Sequence, residues 1–379
     1  MAIGRIRIIL IPVFFALLLL VLLEKNFLPG LSTKNNSDDQ FKLVGSVAYL
    51  IRDEYVEEPN PAKTMDGAFR GLVDSLDPLS SYLDKKAVLK YEQRRDPDLK
   101  EPGLKLYKTY GSFPVVISIK ENSPAEKAGL KVGESVSIIN GRSTLPMSMF
   151  ETNLLLKDKS TDPVILKILR GTGSDIVRLE REAIPIETYA YMPSEGTSGI
   201  MKILRLYPPC VNRMREELLP KLKTQKKPLI LDLRDCTEGD IEEAQKFIDI
   251  FVSDTDSGYF ENSQGIRENL AIQTTAELAD LPLIIWTNQA TIGPAEAIGA
   301  VLKRHKKGKV IGLQTPGLVS KQRFIPLEDG SGLLLTSAIF HLNADKDFWE
   351  KGIEPDIEID SQDLTSSAYL EATQKLLAN

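Results

Sequence analysis

Cysteine is almost missing from this chain of 379 residues: only Cys210 and Cys236 occur. Two thiols build neither a disulfide framework nor a zinc motif, and they leave the redox compartment open. Histidine is as scarce. His305 sits in a basic helix end and His341 stands alone, and neither has a triad context. No metal-ligand cluster, Walker loop or dinucleotide fingerprint is present, so no metal and no cofactor is expected. Basic charge is not in excess. With 47 Lys and Arg against 53 Asp and Glu, a net charge of −6 gives no reason to expect nucleic acid. What is there is 42% hydrophobic and 7% aromatic residues. That composition suits two or three folded domains with sizeable cores and is not that of a disordered chain.

Residues 8–23 form an uninterrupted apolar run, preceded by Arg5 and Arg7 and closed by Glu24 and Lys25. It is slightly short of the roughly 17–25 residues that span a bilayer, but flanking Arg and Lys can snorkel. No small-x-small pattern follows it, since residues 22–26 are bulky and charged. An uncleaved signal anchor, residues 1–25, is therefore favoured over a cleaved signal peptide. The positive flank is N-terminal, so the expected topology is a single pass through the cell membrane with the rest extracytoplasmic, periplasmic or extracellular. Residues 26–40 read as a polar linker.

Beyond the linker, residues 41–100 read as a helical region. Leu43, Val44, Val47, Leu50 and Ile51 have a helical period, and Pro59 and Pro61 break it. A second helix is expected over 64–76, with Met65, Ala68, Phe69, Leu72 and Val73 on one face. Leu76-Asp77-Pro78-Leu79-Ser80-Ser81-Tyr82-Leu83 follows as a turn. Residues 101–183 read as strands with one helical insert. Residues 115–119 are β-branched. Ser123-Pro124-Ala125-Glu126-Lys127-Ala128-Gly129-Leu130 is a short capped helix, and Asn140-Gly141 a tight hairpin turn. From about residue 184 strands and helices alternate. Leu229-Ile230-Leu231-Asp232 is a buried-strand run, and residues 364–377 suit a terminal helix.

The stretch 288–322 organises the rest. Asn288-Gln289-Ala290-Thr291-Ile292-Gly293-Pro294-Ala295-Glu296 follows an apolar strand and enters a helix that ends in a basic run. Strand, sharp turn, helix is how a nucleophile is presented beside free backbone N–H groups. Residues 310–322 close the stretch, with Gly317-Leu318-Val319-Ser320-Lys321-Gln322. These residues resemble the carboxyl-terminal processing peptidases, or tail-specific proteases. That family carries Ser-Ala-Ser-Ala-Ser-Glu in the first segment, its central serine the nucleophile, and Gly-Lys-Gly-x-x-Gln in the second, its lysine the general base. Here Glu296, Gly317 and Gln322 match. The nucleophile position falls on Gly293 and the base position on Leu318, so neither group of the dyad is present. Thr291 is the weak alternative nucleophile. Where the family has Asn-Pro-Gly-Gly after the buried strand, as part of an oxyanion hole, Cys236-Thr237-Glu238-Gly239 stands here. A carboxylate at Glu238 opposes the charge that catalysis has to stabilise.

The same resemblance covers residues 41 to the end. Leu-Asp-Pro-x-Ser-x-Tyr stands in residues 76–82, and residues 123–141 are similar to a bacterial PDZ domain. Such domains bind a chain end by adding it as a strand, its carboxylate held by a loop. The loop position falls on Gly103, Leu104, Lys105 and Leu106, with Lys105 in place of a glycine, so the domain either grips chain ends or only packs. The implied architecture is a mixed α+β multidomain chain. It comprises a membrane helix, a helical N-terminal region, a β-rich PDZ domain at 101–183, an α/β tail-specific protease core at 184–361 and a C-terminal helix at 362–379. The implied function is an inactive pseudo-peptidase that binds protein or peptide chains, C-termini among them. It would assemble as a homo-oligomer or with an active relative. The alternative is an active serine endopeptidase, cleaving near C-termini with a rewired nucleophile.

Overall fold

The computed structural model describes residues 37–378, apart from 186, 254–256, 271–275, 343–347 and 362. The anchor expected at 1–25 and the first part of the expected linker lie outside the described residues. Among the described residues no helix is long and apolar enough to cross a membrane. The chain divides into two compact units, residues 1–64 and 65–379.

In the first unit, α1 (Ser37–Glu54) starts before residue 41, where the linker was expected to end. Leu43, Val47 and Leu50 of α1 are exposed. The second helix, expected over 64–76, starts three residues earlier, at Pro61: α2 runs Pro61–Asp74. A first-turn proline loses no helical hydrogen bond, and Asn60 Oδ1 accepts the Lys63 N–H at 3.1 Å.

The second unit opens with the rest of α2, then β1 (Ser81–Leu83) and α3 (Lys85–Glu92), whose N-cap is Asp84. A sheet follows in the order β2 (Leu104–Tyr107), β3 (Val115–Ile119), β4 (Ser135–Ile139), β5 (Val164–Arg170), β6 (Gly173–Leu179). Two helices pack with it, α4 (Pro124–Lys127) and α5 (Met149–Leu156). Ser123 caps α4, accepting the Glu126 N–H, and Asn140 and Gly141 take φ of 49° and 78°, the twist a tight hairpin requires. This layer has its own apolar interior, including Leu104, Leu106, Val116, Val136, Leu166 and Ile168.

The larger core is a six-stranded sheet. Its order is β7 (Tyr189–Met192), β8 (Ile200–Ile203), β9 (Leu229–Asp232), β12 (Leu283–Thr287), β13 (Gly308–Gly312) and β16 (Ile357–Glu358). Every pairing is parallel except β7 with β8. From β8 to β13 the spatial order follows the chain order, so right-handed crossovers put their helices on one face. These are α6 (Cys210–Glu217), α7 (Leu219–Leu222), α8 (Ile241–Ile248) and α9 (Pro294–Arg304). They bury Met201, Leu231, Ile285 and Val310 beneath Phe247, Ile298 and Val301. The alternate residues Ile230, Ile284, Trp286 and Ile311 face the other way, under Tyr369 of α10 (Ser366–Ala378). Both faces are covered, which is why these strands read as unbroken apolar runs. A third, antiparallel sheet runs β1, β15 (Gly332–His341), β10 (Tyr259–Asn262), β11 (Arg267–Asn269), with β14 (Ser320–Pro326) hairpinned onto β15.

Candidate functional site

The parallel strands all point their C-terminal ends at one cleft, the usual place for a ligand in an open α/β sheet. Three loops build it: 233–240 after β9, 288–293 after β12, and 313–319 after β13. Gly293 is the N-cap of α9, with φ 65° and ψ −125°. An ordinary residue adopts that backbone only under strain. A Cβ built on Gly293 meets only the Leu318 carbonyl oxygen, 4.0 Å away. The Leu318 main chain thus comes within van der Waals reach of the Gly293 position, which has room for a small side chain. Leu318 is 1% exposed and packs with Ile117, Ala290 and Ile292. Position 318 is thus part of an apolar cluster at the edge of the cleft.

Glu296 holds these two loops together. It is fully buried one turn into α9. The Gly317 and Leu318 N–H groups donate to its two oxygens at 2.6 and 2.8 Å, and the Thr315 hydroxyl donates to it as well. Burial raises its carboxyl to about 7, against the pull of those donors. A folded-state value above the unfolded one adds stability that is complete below about pH 4.5 and is lost as pH rises through 7. Stability is therefore expected to fall by about 3 kcal/mol between pH 4.5 and 7.5 on account of this group. Glu296→Gln should flatten that slope. Because its amide NH2 meets a backbone donor, it should also cost about 1–3 kcal/mol at pH 5. Urea melts of both chains at several pH values check this, and parallel slopes would contradict it.

Thr291 is buried and occupied: its hydroxyl donates to the Leu233 carbonyl at 3.0 Å and accepts the Asn288 N–H at 3.1 Å. The weak alternative nucleophile is thus a turn-forming hydroxyl. Burial pushes the Cys236 thiol up to about 12, which rules out a thiolate there at neutral pH. His305 is the C-cap of α9 and His341 stacks on Tyr259 at 5.1 Å; neither lines the cleft. Gln322 lines it and donates to the Leu79 carbonyl at 2.9 Å, fixing β14 to the segment before β1. Lys321 turns to Glu268 at 2.6 Å. Among the described residues no three His, Cys, Asp or Glu converge as metal ligands.

The cleft, about 530 Å³, also takes in Leu104, Lys105, Leu106, Glu238 and Gly239. Leu104, Lys105 and Leu106 are not a loop but strand β2, with a bulge between Lys105 and Leu106; only Gly103 turns, at φ 80°. Leu104 and Leu106 alternate inward against β3, which makes this segment a strand. Lys105 pairs with Glu101 at 3.1 Å. Glu238 is paired with Lys157. Burial alone would raise its carboxyl, but Lys157 and Lys105 outweigh that and hold it at about 2. The carboxylate at this loop is thus paired with Lys157 and further favoured by the nearby Lys105 charge. Nothing in the linear pattern marks Lys157, which lies 81 residues from its partner. The loop's backbone is rigid: the Glu238 carbonyl accepts the Leu206 N–H at 3.0 Å, and a Cβ on Gly239 would overlap Leu206.

Comparison with known proteins agrees with this fold. Residues 211–359 match peptidase family S41, and residues 24–87 match the N-terminal domain of the activating protease CtpB. The chain is 27% identical over 350 residues to the carboxy-terminal processing protease CtpA of Bacillus subtilis, covering 90% of this chain and 74% of that one. It is 26% identical over 341 residues to a carboxy-terminal-processing protease of Bartonella bacilliformis, covering 86% and 77%. In fold it is similar to a photosystem II D1 C-terminal processing protease, with a TM-score of 0.70 at 22% identity over 89% of this chain and 91% of the other. Residues 211–359 are thus similar to peptidase family S41, and residues 24–87 to the N-terminal domain of the activating protease CtpB.

Proposed function

We propose that this chain keeps the architecture of a carboxy-terminal processing peptidase without its hydrolysis. It acts as a pseudo-peptidase that binds protein or peptide chains, C-termini among them. The observation that carries this reading is the pair Gly293 and Leu318. The turn keeps the backbone of a nucleophile site, yet its residue has no side chain, and the group opposite cannot take a proton. The buried bonding of Thr291 disfavours a rewired nucleophile. The layer at 104–179, with its edge strand β2 beside α5, supports a PDZ-type peptide groove. The apolar run at 8–23 supports a single-pass anchor with the cleft outside the cytoplasm. Pairing with a second copy or with an active relative belongs to the same reading.

The test is a serine-directed activity probe run beside a peptide pull-down on membranes from spheroplasts. The expected outcome is retained peptide and no labelled band. A band lost in Thr291→Ala would install the active-enzyme reading instead, and absence of both labelling and peptide would remove peptide binding.

A further inference from the structure

The basic run that ends α9 takes no part in the cleft. Strands β9, β12 and β13 start side by side: Leu229 pairs with Leu283, and Leu283 with Gly308. The Leu229 N–H donates to the Pro282 carbonyl and the Leu283 N–H to the Lys307 carbonyl, each at 2.9 Å. The residues just before β9 and just before β13 therefore lie on one edge of the sheet, about 10 Å apart at two strand spacings. Both segments are basic. Lys221, Lys223, Lys226 and Lys227 lead into β9, and Lys306, at φ 54°, leads into β13; all are exposed. Lys221 has Glu217 one turn back, while Lys223, Lys226, Lys227 and Lys306 have no ion-pair partner among the described residues. Beside them Lys309 and Lys303 share Asp356 at 3.4 and 4.0 Å, and Lys307 donates to the Ala279 carbonyl at 3.0 Å. The carboxylates on the neighbouring connections, Glu195, Asp280 and Glu354, are exposed. The end of α9 accounts for Lys303 and Arg304, since cations suit a helix C-terminus. No helix end accounts for Lys226 and Lys227, which lie beyond α7. A chain of net charge −6 thus keeps a segregated positive edge.

We propose that this edge docks on anionic phospholipid headgroups, at the surface of the bilayer that anchors the chain. The single-pass anchor of the reading above supplies the tether; peptide binding is not needed. Lysine is long enough to reach a headgroup plane from either run, and each one adds attraction at a negative surface. That attraction acts within a Debye length of about 8 Å at physiological salt. A tethered chain meets the surface repeatedly, so a patch too weak to bind from solution suffices. Docking also has a direction. The patch lies at the N-terminal ends of β9, β12 and β13 and the cleft at their C-terminal ends, about 15 Å away along strands of four and five residues. The cleft then opens away from the bilayer, toward chains in the extracytoplasmic space and not toward segments emerging from the membrane.

The experiment inserts the full chain into preformed vesicles of phosphatidylcholine, with or without phosphatidylglycerol, that carry an acceptor dye on a trace lipid. A donor dye on Gln225→Cys reports the height of the patch, and one on Gln289→Cys that of the cleft; both positions are exposed, whereas Cys210 and Cys236 are buried and stay unlabelled. Phosphatidylglycerol is expected to raise energy transfer from position 225 about twofold and to leave position 289 unchanged. Salt at about 0.5 M should abolish the rise. Lys226→Gln, Lys227→Gln and Lys306→Gln combined should remove most of it, at about fivefold in the docking equilibrium for each lysine. Equal transfer in the two lipids, or a rise that survives the triple substitution, overturns the docking. Flotation of the same samples keeps the anchor separate. A chain that floats with both vesicles yet shows equal transfer loses the docking and keeps the anchor. One that floats only with phosphatidylglycerol, and only at low salt, keeps the docking and loses the anchor. One that floats with neither loses both. A patch that binds soluble polyphosphate but gives no rise on vesicles overturns the membrane as its partner.

Discussion

Gly293→Ser, Leu318→Lys and Glu238→Gly, combined in one chain, are expected to give slow hydrolysis of an unfolded protein substrate where the wild type gives none. Each change supplies one part of a serine hydrolase. Serine fits the open space at Gly293, but at φ 65° it should cost about 1–3 kcal/mol of stability. Alone it stays inactive, because a hydroxyl without a base is a weak nucleophile. Lysine at position 318 enters a site only 1% exposed. Burial there should lower its pKa by up to about 3–5 units, which makes it a free amine near neutral pH and hence a base. Glu238→Gly then removes a carboxylate and leaves Lys157 without its ion-pair partner, a local charge that favours an oxyanion. The third change should raise the double variant's rate by about 10²-fold, the scale of one oxyanion donor. A fluorogenic casein assay with thermal melts of each variant reads the series. Hydrolysis by the wild type that survives every change at Gly293 and Leu318 and disappears in Thr291→Ala would defeat this account.

Arg70→Ala is expected to be the most destabilising single substitution outside the cleft, at about 3–5 kcal/mol. Arg70 on α2 is bound to Glu151 on α5 and, at 2.9 Å, to Asp84 at the cap of α3, so one guanidinium joins three elements. The Glu151 side chain is only 4% exposed. Asp74 lies in the same cluster, and burial together with Glu151 raises its carboxyl to about 7 even with Arg70 and Lys108 nearby. Without the arginine, buried carboxyls have to be neutralised by protons. Their folded-state values rise further above the unfolded ones, so the lost stability should deepen as pH rises from about 5 to 8. Urea melts of Arg70→Ala at pH 5 and pH 8 give that difference. Arg70→Met with Glu151→Gln should recover most of it, since the cost is an unpaired charge and not a lost shape. A loss that is equal at both pH values, and not recovered by the pair, would point to packing instead.

Much of the scaffold is legible in the residues because its signals are local. Unbroken apolar runs mark strands buried on both faces, as in Leu229–Asp232, and Ser123-Pro124 with Gly129 fixes both ends of a short helix. Pro61 follows the end of one helix and begins the next, and the expected start at 64 is three residues late because it takes a first-turn proline only as a breaker. Residues 104–106 mislead because a resemblance to a loop gives no weight to the alternation of Leu104 and Leu106. The candidate site is half legible. Gly293, Leu318 and Glu238 stand at motif positions and the fold brings them to one cleft. Lys157 has no local signal, because its meaning comes from a partner 81 residues away. A pairing across that distance is decided by how two layers dock, and no periodicity encodes it.

The ties between the β2–β6 layer and the parallel-sheet core have a mechanical consequence. The two have separate apolar interiors. What joins them is partly polar, with Ser118 to Asp235, Glu121 to Ser366 at 2.7 Å and Lys157 to Glu238, and partly apolar, with Ile117, Tyr107 and Met149 clustered with Ala290, Ile292 and Leu318. Water and salt replace polar ties at little cost, whereas an apolar interior opens only at the full cost of its exposed area. Rising ionic strength is therefore expected to weaken the polar part of this seam and to leave its apolar cluster and both interiors in place.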